Sequence, residues 1–193
     1  MPAPKLTRDK WLSEPEFKRL AYAARTRPHH NATRDYALLM TAGLGGLRCC
    51  EVLGLRGRDC KGITQRPNPL LRVKSAKKRR KVYEEIALPR TAAEALRAWI
   101  VEGEIKADDR PFPIGDSRAR KLFKHYLGLA GLPLVYSFHS LRHFRGVMLY
   151  DRTRDVQLVK EALRHERITN TERYVHAVDS IERQAEADID IEE

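Results

Sequence analysis

Only one stretch of this chain is patterned for β-structure. Residues 70–74 and 82–88 are short, partly β-branched runs, and a basic turn around 75–80 separates them. That order is the signature of a β-hairpin. Elsewhere the apolar residues recur at helical spacing and are punctuated by Gly and Pro. The pattern predicts a mostly α domain carrying one small antiparallel sheet, an α+β chain. Ser13 and Glu16 have capping-box spacing, and Phe17, Leu20, Ala21 and Ala24 follow at helical period. A second helix is predicted over 33–41, interrupted by Gly43, Gly45 and Gly46. A third element over 48–55 puts Val52 and Leu55 on one face. Thr91 and Glu94 form another capping-box pair, opening a helix to about 101. Past Pro111 and Pro113 a basic helix runs over 116–130, stopped by Gly131 and Pro133. Helices over 139–150, over 155–164 and from 171 onward complete the chain.

No repeat or linker divides the 193 residues, so they are read as one domain over 13–178, a loose leader over 1–12 and an acidic tail over 179–193. Charge sharpens that division. The formal net charge is +11, but seven acids and one base fall within 179–193, which leaves +17 over the first 178 residues. A body this basic points to a polyanionic partner, most simply nucleic acid. No apolar run approaches a membrane span, and the N-terminus has no signal segment. Cys49, Cys50 and Cys60 lack metal-ligand spacing and are read as reduced thiols. A soluble, cytoplasmic, nucleoid-associated protein is expected, with no membrane partner and no metal.

Several residue groups carry chemistry. His139 and Arg142 are three apart on a predicted helix and face one side. A guanidinium can grip two phosphate oxygens, and an imidazole beside it can move a proton. Gly146, one turn on, leaves that face open to a close-approaching backbone. The bland alternative is a solvated His/Arg face. Tyr174 follows His165 by nine positions, with Thr169, Asn170 and Thr171 as a natural turn and helix cap between them. Tyr174 taken alone is a plain core aromatic. Among arginines and a histidine gathered on a phosphate it would be a nucleophile. Arg48 stands at a helix start, where the dipole disfavours a cation. Either an anionic ligand or Glu51, three residues on, would pair with it.

Gly-Leu-Arg-x-x-Glu-x-x-x-Leu (46–55), the basic hairpin, His-x-Leu-Arg-His (139–143), Leu-x-His (163–165) and Thr-x-x-Tyr-x-His (171–176) occur in this order. Together they resemble the catalytic domain of tyrosine recombinases, the phage integrase family. The resemblance covers about 13–178 and implies that family's fold and activity. Tyr174 would attack a DNA phosphate, giving a 3′-phosphotyrosyl link and a free 5′-hydroxyl. Arg48 and Arg142 would bind the non-bridging oxygens, His139 would transfer a proton with the tyrosine, and His165 would hydrogen-bond the phosphate. A hairpin lysine would protonate the leaving oxygen. Lys77 is favoured, with Lys74 and Lys78 as alternatives, because residues 72–81 hold seven bases without the family's usual Gly-Lys-Gly pattern. Neither metal, ATP nor other cofactor is implied. The implied partners are a double-stranded target site and three further copies, a homotetramer on synapsed DNA from a monomer in solution. The acidic tail would dock on a basic neighbour, or else remain solvated and repelled from DNA.

Three features depart from the family pattern. Members usually carry an N-terminal DNA-clamping domain, yet about a dozen residues precede Ser13, which predicts a catalytic fragment or a minimal recombinase with salt-sensitive binding. The Cys49-Cys50 pair and Glu84-Glu85 have no account at this level. Rival functions are a DNA-binding regulatory module with little cleavage, and a type IB topoisomerase-like or telomere-resolving activity. Base-reading side chains are expected among Arg118, Arg120, Lys121 and Lys124.

Overall fold

The computed structural model describes residues 6–26, 29–64, 69–76 and 82–189. Among them are eight α-helices and one antiparallel pair of strands: α1 (Glu14–Thr26), α2 (Ala32–Gly45), α3 (Cys49–Leu53), β1 (Leu70–Lys74), β2 (Tyr83–Ala87), α4 (Arg90–Glu102), α5 (Asp116–Leu129), α6 (Ser140–Thr153), α7 (Val156–Leu163) and α8 (Thr169–Ile189). The predicted hairpin is present, with Leu70 opposite Ala87 and Lys74 opposite Tyr83. Leu71, Val73 and Ile86 turn inward and are buried, as the two-residue period of a strand requires. A 3₁₀ segment, Gly57–Thr64, precedes the sheet and packs on β1. No helix of the described residues is long and apolar enough to cross a membrane.

Local chemistry explains the helix ends. The Ser13–Glu16 capping box forms: the Ser13 amide donates to Glu16 Oε2 at 2.7 Å, and the Glu16 amide to Ser13 Oγ at 3.4 Å. The second predicted box does not form. Glu94 instead accepts from Arg90 Nε at 2.7 Å, and α4 starts after Pro89. Gly43 and Gly45 do not break α2. The Phe17 ring lies against Gly43, so that a Cβ there would come within 2.8 Å of Phe17 Cζ. Gly46 alone ends the helix, at φ +62°, the left-handed cap that glycine adopts without strain. Asp155 caps α7 by accepting from the Leu158 amide at 2.9 Å. The run at 169–171 is not a turn before α8 but its first residues, and α8 continues unbroken past 178.

The core has two parts, and α6 joins them. Leu141 and Phe144 face the larger cluster built from α1, α2, α4, α5 and the sheet. There Phe144 stacks on Phe17, ring centroids 4.3 Å apart. Val147, one turn later, belongs to the smaller cluster with Leu6, Trp11, Val159, Leu163, Tyr174, Ala177 and Val178. Helix α8 therefore packs on α6 and α7 through a stripe that includes Tyr174. This places the end of α7 and the start of α8 beside the N-terminus of α6.

Candidate active site

Glu51 is the centre of the site. It sits on the single turn of α3 with its side chain fully buried, and its Oε1 accepts from Arg48 Nη1 at 2.7 Å. Its Oε2 accepts from the Arg48 amide at 2.9 Å and from Arg164 Nη2 at 2.7 Å. The same oxygen lies 3.9 Å from Arg142 Nη1. Three guanidiniums thus share one carboxylate. Burial opposes ionisation of Glu51, yet the Arg164 cation, the Arg48 amide and the cations of Arg48 and Arg142 hold its carboxyl below the usual range.

Arg142, on the first turn of α6, is 1% exposed. It donates from Nη1 to the Gly46 carbonyl at 2.7 Å, and from Nη2 to the Leu163 carbonyl. Those carbonyls end α2 and α7, so the arginine collects two helix C-termini, where a cation is favoured. Desolvation, with the Arg48 cation next, pushes it down to about 10, so it stays charged at neutral pH. Arg48 caps α3 and pairs with Glu51 as one of the two sequence expectations required.

Tyr174 is 1% exposed. Its hydroxyl lies 3.2 Å from Nδ1 of His143. Its ring stacks on His165 at 9° with centroids 6.2 Å apart. Gly146 is not open to an approaching backbone as the sequence suggested: the Tyr174 ring fills that space, and a Cβ on Gly146 would fall 2.6 Å from Tyr174 Cε1. Burial pushes the phenol up to about 12, against the pull of Arg142, Arg173 and Arg48. His143 is driven down to about 3 by burial first, then by His139, Arg173 and Arg142. It is therefore neutral at pH 7 and, in the tautomer with a bare Nδ1, accepts from the phenol.

His139 is the residue before α6 and is exposed at the rim, its ring edge-on to His143 at 4.6 Å. Desolvation of its inner side, then the Arg142, Arg48 and Arg173 cations, take it down to about 4. His165 shares a 2.9 Å hydrogen bond between Nδ1 and Thr171 Oγ1. Thr171 is fully buried, so it orients His165 rather than capping α8.

Of the six predicted site residues, Arg48, His139, Arg142, His165 and Tyr174 come together. Lys77 and Lys78 lie outside the described residues, while Lys74 ends β1 and is exposed. His143 and Arg164 were not anticipated. For His143 the signal was its place one turn after His139 and three residues before Gly146. Arg164 had none, because its partners are remote in sequence. Glu84 now has an account, with Oε2 3.6 Å from Arg164 Nε. Cys49 does too: burial first, then the nearby Asp116 carboxylate, pushes its thiol up to about 12. A buried cluster of cations exceeding its carboxylates suits a tetrahedral oxyanion such as a phosphate, with a phenol and three imidazoles beside it to attack and to move protons.

The model of the phage integrase family matches residues 10–180. The chain belongs to the phage integrase family. Among curated members it is 27% identical over 165 residues to tyrosine recombinase XerC of Treponema denticola, covering 75% of this chain and 52% of that protein. It is 29% identical over 160 residues to tyrosine recombinase XerD of Chlamydia pneumoniae, covering 80% and 52%. This integrase-family chain thus spans about half the length of the relatives it matches. In fold it is similar to the XerH site-specific recombinase in a post-cleavage complex with difH substrate, with TM-score 0.78, 20% identity, and coverage of 94% of this chain and 53% of XerH. It is also similar to the lambda integrase tetramer bound to a Holliday junction, with TM-score 0.65, 19% identity, and coverage of 89% and 49%. The mostly helical fold with a two-stranded sheet is that of the catalytic part of these enzymes.

Proposed function

We propose that this chain is the catalytic domain, over 13–178, of a site-specific DNA recombinase that cuts and rejoins DNA through Tyr174. The observation that carries the reading is the convergence of Arg48, Arg142 and Arg164 on Glu51 beside a tyrosine held by histidine. Arg48 and Arg142 bind the non-bridging oxygens of the scissile phosphate and stabilise charge as it builds there. Tyr174 Oη forms a bond to phosphorus while the bond to the 5′-oxygen breaks. The phenol proton passes to the His139 imidazole as that bond forms. The departing 5′-oxygen takes its proton from a hairpin lysine, Lys77 first and Lys74 or Lys78 otherwise. His165 hydrogen-bonds the phosphate. A 5′-hydroxyl from another strand reverses the sequence and rejoins DNA. The phosphotyrosyl link preserves the phosphodiester energy, so neither metal nor ATP enters the balance.

Tyr174 must leave its pocket to reach DNA. The short 164–168 connection before α8 is the natural place for that movement. The partner is a double-stranded target site, and four copies act together on synapsed DNA from a monomeric pool, as the tetrameric lambda integrase neighbour supports. The acidic segment 179–193 docks on a basic neighbouring copy, and the protein works at the nucleoid in the cytoplasm.

Incubation with a nicked suicide duplex tests the reading. A covalent protein–DNA adduct should form, and Tyr174→Phe should abolish it. An adduct in the phenylalanine variant would remove Tyr174 from its role. Salt-sensitive binding with no adduct would favour a regulatory module, and relaxation of supercoiled plasmid lacking a target site would favour the topoisomerase alternative.

A further inference from the structure

Arg164 ends α7 in the left-handed region, at φ +56°. Glycine is the relaxed residue at such a position, and a long side chain there costs backbone energy that must be offset elsewhere. The side chain is 8% exposed. Its Nη2 donates to Glu51 Oε2 at 2.7 Å, across 113 residues of sequence. Its Nε lies 3.6 Å from Glu84 Oε2 on β2. Its Nε and Nη1 are buried without a hydrogen-bond acceptor among the described residues. A strained backbone, a buried cation and unmet donors are costly together, and they occur at the carboxylate that holds the other two arginines.

We propose that Arg164 is a positioning residue of the phosphate site. It fixes the Glu51 carboxylate, through it the guanidiniums of Arg48 and Arg142, and it ties this cluster to strand β2 at Glu84. The inference rests on the recombinase reading of the site. Three elements distant in sequence, α3, β2 and the end of α7, meet at this one guanidinium. Arg48 reaches Glu51 from its own turn and Arg142 only at 3.9 Å, so Arg164 makes the long-range hydrogen bond that sets where Glu51 points. The Leu163 carbonyl, which Arg142 binds, is one residue away. The α7 end thus grips both Glu51 and Arg142.

The test compares wild type with Arg164→Gly, which removes the side chain and relaxes the backbone, and with Arg164→Lys, which keeps the charge but loses the fork. Single-turnover adduct formation on saturating suicide duplex should fall on the order of tenfold to a hundredfold in Arg164→Gly, the effect of misplacing groups that bind the phosphate. Duplex affinity should change less than the rate. The acid limb of the pH–rate profile should move to higher pH, because Glu51 loses its leading cation. Arg164→Lys should fall between the two. In parallel, the Nε–Hε NMR signals of Arg48 and Arg142 should shift in the DNA-free Arg164→Gly protein, or in Arg164→Lys if the glycine variant does not fold. Unchanged Arg48 and Arg142 signals would overturn the proposal, whatever the rate. Absence of any wild-type adduct would instead overturn the recombinase reading, and the NMR comparison would still decide the role of Arg164.

Discussion

The ring of Tyr174 lies on the α-carbon of Gly146, so closely that any side chain at 146 would enter the phenol. Helix α6 thereby builds the pocket that holds the Tyr174 ring, using a residue with no side chain. Gly146→Ala should push Tyr174 out. Overpacking of this kind costs about 1–3 kcal/mol, to be read as a lower denaturation midpoint. Spectrophotometric titration should also show one tyrosine returning from about 12 toward an ordinary phenol value. A variant that melts like wild type and keeps that high-pH tyrosine would contradict the packing.

His139 and His143, edge to face at the start of α6, make stability depend on pH. Folding lowers His139 to about 4 and His143 to about 3 from an ordinary 6.5. Between those values the unfolded chain binds more protons, so stability rises with pH there and is lost as pH falls below about 6.5. The lowered carboxylates, such as Glu16 at about 2, act at more acid pH. Thermal melts from pH 7 to 4.5 should decline steadily, and His143→Gln should flatten that decline. A flat wild-type profile in this window would show that the two imidazoles are not held neutral.

The start of α1 is tied to the far end of the domain. Glu16 accepts from Ser13, from Arg8 Nη2 at 2.6 Å and from the Tyr136 hydroxyl at 2.9 Å. Ser13→Ala removes one capping partner and should cost about 1 kcal/mol in urea unfolding. Glu16→Gln should cost more, since the Arg8 and Tyr136 bonds lose their charged acceptor. Equal costs would mean that the cap alone matters.

Two of the four cations expected to read bases are already engaged. Arg120 donates to Asp116 at 2.6 Å, and Lys124 bonds the Leu134 carbonyl. Arg118 and Lys121 have no ion-pair partner among the described residues, and they line a cleft of about 560 Å³ with His29, His30, Arg34 and His125. Alanine at 118 or 121 should therefore weaken duplex binding more than alanine at 120. Each should also lower the slope of log affinity against log salt by about one unit. Equal losses at all three positions, measured by anisotropy across a salt series, would refute the distinction.

The sequence by itself determined most of the helices, the hairpin and most of the residues of the candidate site, because these follow from short-range rules. Period-two and helical patterns select the elements, Ser13 and Glu16 cap α1 across three residues, and the ordered Arg48, His139, Arg142, His165 and Tyr174 motifs mark the chemistry. Gly43 and Gly45 were misread as breaks because the Phe17 ring that requires a bare α-carbon at Gly43 belongs to another helix. Only the tertiary structure decided that Tyr174 is stored on Gly146 against His143, and that Glu51 gathers three arginines. Arg142 meets Gly46 across 96 residues and Arg164 meets Glu51 across 113. No local pattern encodes such pairings. They arise because packing α6, α7 and α8 together brings the end of α7 to residues far away in sequence.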